Sequence, residues 1–315
     1  MKRNKDSFVS IIIPIYNNSE QLETCLNVLE HQTYPQELYE IIVIDNNSEE
    51  DIAAVVNQFG QAHLAYESCR GSYAARNKGL FVAKGDFIGF SDSDCIPASD
   101  WIEKGVENLL RHPECGLVAG KIQLFFKNPG KPTVVELYDS MNFLRQEHYV
   151  EQLNFGATAN LFTRKEVFEK AGLFDANLKS SGDREWGQRV HRLGYSQIYA
   201  EDVLIAHPAR DKLRDLQKKV SRIFEGLYVL DSEKLPPFTR FIYEAYLDIK
   251  PPRKEILSLL NNERLNSLSL KTKYVLLFMF LRWTVARSKI KIYIARSFYQ
   301  GKFYRKDNLK LASND

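Results

Sequence analysis

Three apolar runs of strand length, each closed by Asn or Asp, alternate with stretches of helical spacing in the first part of the chain. Val9 to Tyr16 is almost continuously apolar and gives way to Asn17, Glu40 to Asp45 runs into Asn46-Asn47, and Phe87-Ile88-Gly89-Phe90 runs into Ser91-Asp92-Ser93-Asp94. Unbroken apolar runs mark strands covered on both faces, whereas a strand with one wet face would alternate. Between the first two runs, Leu22, Cys25, Leu26 and Leu29 recur at helical spacing, with Asn18 and Gln21 placed as a helix-start cap and its partner. A helical stretch to about Phe59, a short strand near Leu64 to Glu67 and a helix from Ser72 to Ala83 complete the alternation. The order βαβαβαβ predicts a parallel, doubly wound sheet. Ligands of such sheets sit beyond the carboxyl ends of the strands, so Tyr16-Asn17, Asp45-Asn46-Asn47 and Asp92-Ser93-Asp94 are expected to line one crevice.

The third of these turns carries the most specific chemistry. Asp92 and Asp94, one residue apart at a strand end, offer hard oxygen ligands of the kind Mg2+ and Mn2+ prefer. Those ions are usually held by one or two carboxylates plus the phosphates of a substrate, which points to a metal-diphosphate ligand. The same tripeptide is also ordinary turn chemistry, in which short side chains bond their own backbone.

Of the 315 residues, 44% are apolar and 26% charged, as in a globular protein large enough for one big or two smaller domains. Cys25, Cys69, Cys95 and Cys115 show neither zinc nor disulfide-scaffold spacing and are expected to be reduced thiols, Cys25 in the core. Lys2, Arg3 and Lys5 before the apolar run mimic the front of a signal peptide, but Pro14 interrupts the run and no small-residue cleavage site follows. Charge is uneven. Leu265 to Asp315 holds eleven Lys and Arg against two acidic residues, while residues 1–264 hold 32 against 38. The apolar run Tyr274 to Leu281, bracketed by Lys271, Lys273, Arg282 and Arg287, is too short to span a bilayer, which needs about 20 residues. It suits a helix lying in an anionic headgroup plane with Trp283 inserted; the alternative is a basic helix packed on the protein's own core. No recognition motif accompanies the charge, so nucleic acid is not expected as a partner.

The ordered segments Val9-Ser10-Ile11-Ile12-Ile13-Pro14-Ile15-Tyr16-Asn17, Ile44-Asp45-Asn46-Asn47-Ser48, Ala75-Arg76-Asn77-Lys78-Gly79 and Asp92-Ser93-Asp94 resemble the nucleotide-sugar motifs of family 2 glycosyltransferases. Asn154 to Asn160, Gly172-Leu173-Phe174-Asp175 and Gly182-Asp183-Arg184-Glu185-Trp186-Gly187-Gln188-Arg189 are similar to its acceptor-side segments. The likeness covers about residues 8–210. It implies a GT-A fold, a Rossmann-like mixed α/β sheet flanked by helices. Residues 1–210 would form the catalytic domain and 211–315 a helical, basic and amphipathic C-terminal region.

The resemblance also implies roles. Pro14, Tyr16, Asn17, Asp45 and Asn47 would shape the base pocket, with Asp45 accepting hydrogen bonds from the base. Arg76 would pair with diphosphate or ribose oxygens, a task suited to its planar fork of donors. Asp92 and Ser93 would contact the nucleotide-sugar, and Asp94 with His207 would ligate a divalent metal, Mn2+ or Mg2+. Asn160, Glu185 and Trp186 are acceptor-side candidates, although Trp186 could equally be core and Glu185 could fix its own helix. Displacing a diphosphate with a hydroxyl needs one base, and Asp183 is favoured over Glu185. Here Gly182 replaces the first member of the family's Glu-Asp pair.

The expected function is that of an inverting, metal-dependent glycosyltransferase of the hexosyltransferase type, with a UDP-sugar as favoured donor and a saccharide or lipid-linked acceptor. The expected setting is cell-surface glycan synthesis at the cytoplasmic face of a membrane. Two other classes stay open: an inactive membrane-associated nucleotide-sugar binder, and a nucleotidyltransferase. The latter would carry a Gly-rich phosphate loop where Tyr16-Asn17-Asn18-Ser19 stands.

Overall fold

The computed structural model describes residues 7–231 and 237–311, the stretch 298–311 as backbone alone. Lys2, Arg3 and Lys5 lie outside the described residues. In chain order the elements are β1 (Val9–Ile15), α1 (Ser19–Glu30), β2 (Tyr39–Asp45), α2 (Ile52–Val56), β3 (Ala62–Tyr66), α3 (Ser72–Val82), β4 (Phe87–Ser91), β5 (Ile96–Pro97), α4 (Trp101–Arg111), β6 (Cys115–Phe125), α5 (Val134–Asn142), α6 (Gln146–Leu153), β7 (Asn160–Arg164), α7 (Lys165–Ala171), α8 (Gly182–Arg192), β8 (Ser196–Pro208), α9 (Leu213–Asp231), α10 (Phe238–Ile249), α11 (Arg253–Leu260) and α12 (Leu268–Leu311).

Eight strands form one sheet in the order β3-β2-β1-β4-β7-β6-β8-β5. The first four are parallel, as the βαβ alternation predicts. Beyond β4 the sheet is mixed, because β7 runs antiparallel to both β4 and β6 while β6 and β8 are parallel. Strands β1 and β2 are buried nearly throughout, which is why their sequences do not alternate. Pro14 is tolerated there because β4 pairs with β1 only from Val9 to Ile12, so no ladder bond is needed on that side at residue 14. Helix α3 approaches β1 closely: a Cβ at Gly79 would collide with Cγ2 of Ile12.

The chain divides into two compact units. One comprises residues 1–130 and 142–209 and holds the sheet; the other comprises 131–141 and 210–315 and is helical. In the helical unit, Asp139 is fully buried on α5 and is met by Lys219 at 2.7 Å and by the Arg210 N–H at 2.9 Å. Burial pulls the Lys219 pKa below its ordinary value, and Asp139 opposes that shift. The apolar run Tyr274 to Leu281 splits across α12. Tyr274, Leu277 and Leu281 are buried within this unit, with Tyr138 and Tyr274 at 5.4 Å, and are not available for insertion into lipid. Leu276 and Trp283, on the opposite face, are 66% and 46% exposed. No helix among the described residues is long and apolar enough to cross a membrane. All four cysteines are free thiols, with Cys25, Cys95 and Cys115 buried.

Candidate active site

Parallel pairing of β3, β2, β1 and β4 forces the turns after β1, β2 and β4 to one edge of the sheet, and short polar side chains bind the first two to each other. Asn17 and Asn18 both adopt left-handed backbone, with φ of 58° and 66°, a conformation Asn tolerates better than most residues. The Asn17 N–H donates to Ser48 Oγ at 2.8 Å, and Asn17 Oδ1 accepts from the Glu49 N–H at 2.8 Å. Asn18 does stand at the start of α1, but its side chain makes no cap bond. The Glu50 carboxylate supplies the cap, accepting from the N–H groups of Asn18 and Ser19 at 3.1 and 2.7 Å. Those bonds, Ser19 first among them, hold the Glu50 pKa below the usual carboxylate value. Asp45 is buried and accepts from the Ser48 N–H at 2.9 Å, while exposed Asn47, also left-handed, donates to the Ser68 carbonyl. Pro14 is half-buried, and the exposed Tyr16 ring has the Arg70 guanidinium 5.4 Å from its centroid.

The turn after β4 gathers the charged groups. Arg76, buried on α3, donates to Asp92 Oδ1 at 2.6 Å, and its Nε has no hydrogen-bond partner among the described residues. Ser93 is half-buried between Asp92 and Asp94. Strand β5 follows at once, and its pairing of Ile96 with Ala206 and Pro97 with Ile205 clamps β8 so that His207 meets Asp94. Asp94 Oδ1 and His207 Nε2 stand 3.4 Å apart. His207 Nδ1 lies 2.9 Å from the Pro208 carbonyl, an acceptor only, so Nδ1 is the donor there and Nε2 is the ring nitrogen that faces Asp94. Two ligands about 2.1 Å from one ion at roughly right to tetrahedral angles stand about 3.0 to 3.4 Å apart, so the pair fits a single divalent cation. The buried Cys95 thiol completes a cluster whose ligand atoms all lie within 4.8 Å of one another. Burial pushes the thiol pKa well up, which keeps it protonated and a poor ligand.

Asp183 sits in the first turn of α8. Its Oδ1 accepts from the Tyr73 hydroxyl at 3.2 Å and the Arg184 N–H at 2.9 Å. Desolvation raises its pKa above the ordinary 3.8, and the nearby Arg76 and these hydrogen bonds oppose the rise. Arg76 thus stands electrostatically between Asp92 and Asp183, joining the two ends of the crevice.

Two of the acceptor-side expectations need correction. Trp186 is fully buried, stacks on Phe168 at 4.4 Å and donates through Nε1 to the Gly172 carbonyl, so no sugar can reach its face. Asn160 is also fully buried; it donates to the carbonyls of Lys121 and Val203 and accepts from Trp101 Nε1, tying β7 to β6 and β8. Glu185, the third candidate, keeps a partly exposed side chain and pairs with Arg189 one helical turn on, at 2.8 Å, a contact that braces its own helix. Arg189 in turn donates to the carbonyls of Ala171 and Leu173.

Some residues were given no role of their own by sequence. Asn46 ties the β2 turn to Glu67, Cys69 and Gly71; Asn77 brackets the Phe174 peptide with both ends of its amide. Gln146 does the same for Ala157, which shapes the loop before β7. Tyr73 was missed because an aromatic at the head of an amphipathic helix carries no signal beyond core packing.

Comparison with known proteins decides the family. The family model "Glycosyl transferase family 2" matches residues 10–172. The chain belongs to that family. Glycosyltransferase AglE of Haloferax volcanii is 38% identical over 224 residues, covering 70% of this chain and 72% of that one. A dolichyl N-acetyl-alpha-D-glucosaminyl phosphate 3-beta-D-2,3-diacetamido-2,3-dideoxy-beta-D-glucuronosyltransferase of Methanococcus voltae is 23% identical, covering 68% and 70%. In structure, the mannosyltransferase PcManGT of Pyrobaculum calidifontis, solved with GDP-Man and Mn2+, superimposes with a TM-score of 0.63 over 90% of this chain and 86% of its own, at 21% identity. The family 2 member described here has the GT-A fold, and its reaction class is sugar transfer in glycan biosynthesis.

Proposed function

We propose that this family 2 member is an inverting, metal-dependent glycosyltransferase that moves a hexosyl group from a nucleoside diphosphate sugar to a saccharide or lipid-linked acceptor. The catalytic part would be residues 1–210. The observation that carries the reading is the convergence, at one sheet edge, of the Asp94 and His207 pair, 3.4 Å apart, with the buried Arg76 whose Nε still has a donor to give. Arg76 would use that donor on a diphosphate oxygen, while Asp92 and Ser93 face the sugar-nucleotide and Asp45, Pro14, Tyr16, Asn17 and Asn47 frame the base. A Mn2+ or Mg2+ ion held by Asp94 and His207 would neutralise charge on the leaving diphosphate. Asp183 takes the proton of the acceptor hydroxyl as its oxygen bonds to the anomeric carbon and the nucleoside diphosphate departs. A single displacement inverts that carbon. Burial raises the Asp183 pKa above the ordinary carboxylate value, which makes it a stronger base than an ordinary aspartate.

A lipid-linked acceptor is supported by the M. voltae relative, whose name specifies dolichyl N-acetyl-alpha-D-glucosaminyl phosphate. It is supported also by exposed Leu276 and Trp283 on α12, with Arg287 over the Trp283 ring at 5.7 Å, in a segment free of acid from Leu265 to Lys306. This C-terminal region, residues 211–315, would bind an anionic cytoplasmic membrane face. A UDP-sugar is the donor first expected, and GDP-mannose joins it because the structural neighbour binds it.

The test is calorimetric titration of UDP- and GDP-sugars, with and without Mn2+, on the wild type and Asp94→Ala. Metal-dependent binding of one donor, lost in Asp94→Ala, is the expected result. No binding to any donor by folded protein with metal present would sink the proposal.

A further inference from the structure

Gly182 opens α8 immediately before Asp183, and Tyr73 lies near the start of α3. A Cβ at position 182 would stand 2.8 Å from Cε2 of the Tyr73 ring and 2.9 Å from its Cδ2 and Cζ, closer than real Cβ atoms approach. The ring therefore fills the volume that any side chain at 182 would need. It is also held from other sides, by Phe174 at 5.7 Å between centroids and by the Arg76 guanidinium 5.7 Å from its own centroid. From this fixed place its hydroxyl donates to Asp183 Oδ1 at 3.2 Å.

We propose that Tyr73 is a positioning residue for the Asp183 base, and that Gly182 is required because only glycine admits the Tyr73 ring beside it. The proposal rests on Asp183 being the base. An ionised carboxylate accepts about four hydrogen bonds. Two donors of the protein bind Asp183 Oδ1, the Tyr73 hydroxyl and the Arg184 N–H, which leaves the carboxylate capacity to accept from the acceptor hydroxyl as well. A phenol suits this place better than a second acid would. Burial drives its pKa up, so it stays a neutral donor, and a donor stabilises the carboxylate where a second carboxylate would repel it. The other charged or titratable groups facing Asp183 are Arg76 on α3, Tyr149 on α6, and Arg184 and Glu185 on its own helix.

Tyr73→Phe removes one oxygen and keeps the ring. With 13C-labelled aspartate, the Asp183 carboxyl signal is identified by its loss in Asp183→Asn and followed against pH. Its titration midpoint is expected to move to higher pH in Tyr73→Phe, because the donor that favours the ionised form is gone. Release of nucleoside diphosphate from GDP-mannose and UDP-glucose with Mn2+ gives the second readout: kcat down about tenfold with donor KM unchanged. The volume claim is read separately. Gly182→Ala is expected to lower the melting temperature, and pairing it with Tyr73→Ala to erase that difference. An unmoved Asp183 midpoint in Tyr73→Phe, with Asp183→Asn inactive, would overturn the proposal and leave the base assignment standing. Full activity in Asp183→Asn would overturn both. Equal destabilisation by Gly182→Ala with and without the ring would remove the role of Gly182.

Discussion

The donor end and the acceptor end of the crevice are built in opposite ways. At the donor end most candidate residues end strands or occupy the turns that follow them, where backbone geometry leaves polar groups facing the edge of the sheet: Asn17 and Asn47 are stitched to neighbouring loops, Asp45 accepts within its own turn, and Asp92 keeps a side chain 36% exposed. At the acceptor end Asn160 and Trp186 are fully buried in strand and helix, where they hold the scaffold together. The difference is one of topology. Parallel strands deliver whatever ends them to the ligand side, whereas a residue inside a strand or helix has an even chance of facing the core. Asp183 is the exception that joins the two ends, because it sits in the first turn of α8 and reaches α3 through Tyr73 and Arg76.

The largest expected effect falls on that exception. Asp183→Asn should lower kcat by about 10² to 10⁴ while leaving calorimetric donor binding within a few-fold, since a base acts in the transition state and not on the donor. Its stability should move the other way. The folded chain holds the Asp183 proton more tightly than an unfolded aspartate of pKa 3.8, so it binds more protons near that pH and stability falls as pH rises through that range. The Asn variant lacks this cost. It should therefore melt above the wild type at pH 7, and the gap should close as the pH is taken down toward 4. A donor-binding loss as large as the kcat loss would move Asp183 to the donor side and break the comparison.

How much was legible follows from the same contrast. Strands β1, β2 and β4 and their turns could be read because continuous apolar runs, helical spacing and terminal Asn or Asp agree there, whereas β3 was read only as a short strand near Leu64 to Glu67 and is observed at Ala62–Tyr66. The far half of the sheet was less legible. The β7 reversal and the pairing of β5 with β8 depend on contacts far apart in sequence, such as Ile96 with Ala206, and the joining of Asp94 to His207 depends on that pairing. Helix capping misled for a related reason. Asn18 has the right chemistry and place, but its left-handed backbone turns the work over to Glu50, 32 residues away. In α12 the apolar run was visible as composition, yet which side chains are buried was decided by the helices it packs on, with Tyr274 and Leu281 inside and Leu276 and Trp283 outside.

Truncation of the acceptor-end residues should read as loss of fold before loss of specificity. Trp186→Ala removes a fully buried indole from the cluster of Phe90, Phe168 and Phe174, and should cost about 3 to 5 kcal/mol in urea unfolding. Trp186→Phe should keep the acceptor KM of the wild type; a KM raised tenfold in a stable Phe variant would return Trp186 to the sugar. Asn160→Ala comes next, at about 1 to 3 kcal/mol, because it strands the Lys121 and Val203 carbonyls and the Trp101 N–H in a dry interior.

The smallest effect should come from Glu185, and it sharpens the comparison most because Glu185 lies two residues from the proposed base. Its carboxylate pairs with Arg189 across one helical turn, with both side chains about a quarter exposed. Pairs of this kind contribute under about 1 kcal/mol, since solvent screens them and two long side chains lose freedom in making them. Arg189 would not be stranded by the loss, as it still donates to the carbonyls of Ala171 and Leu173. Glu185→Gln should therefore unfold within about 1 kcal/mol of the wild type and keep kcat within about threefold. If instead Glu185→Gln loses 10² or more in kcat while Asp183→Asn does not, the base is Glu185, and the half-buried carboxylate beside Tyr73 is part of the frame that carries it.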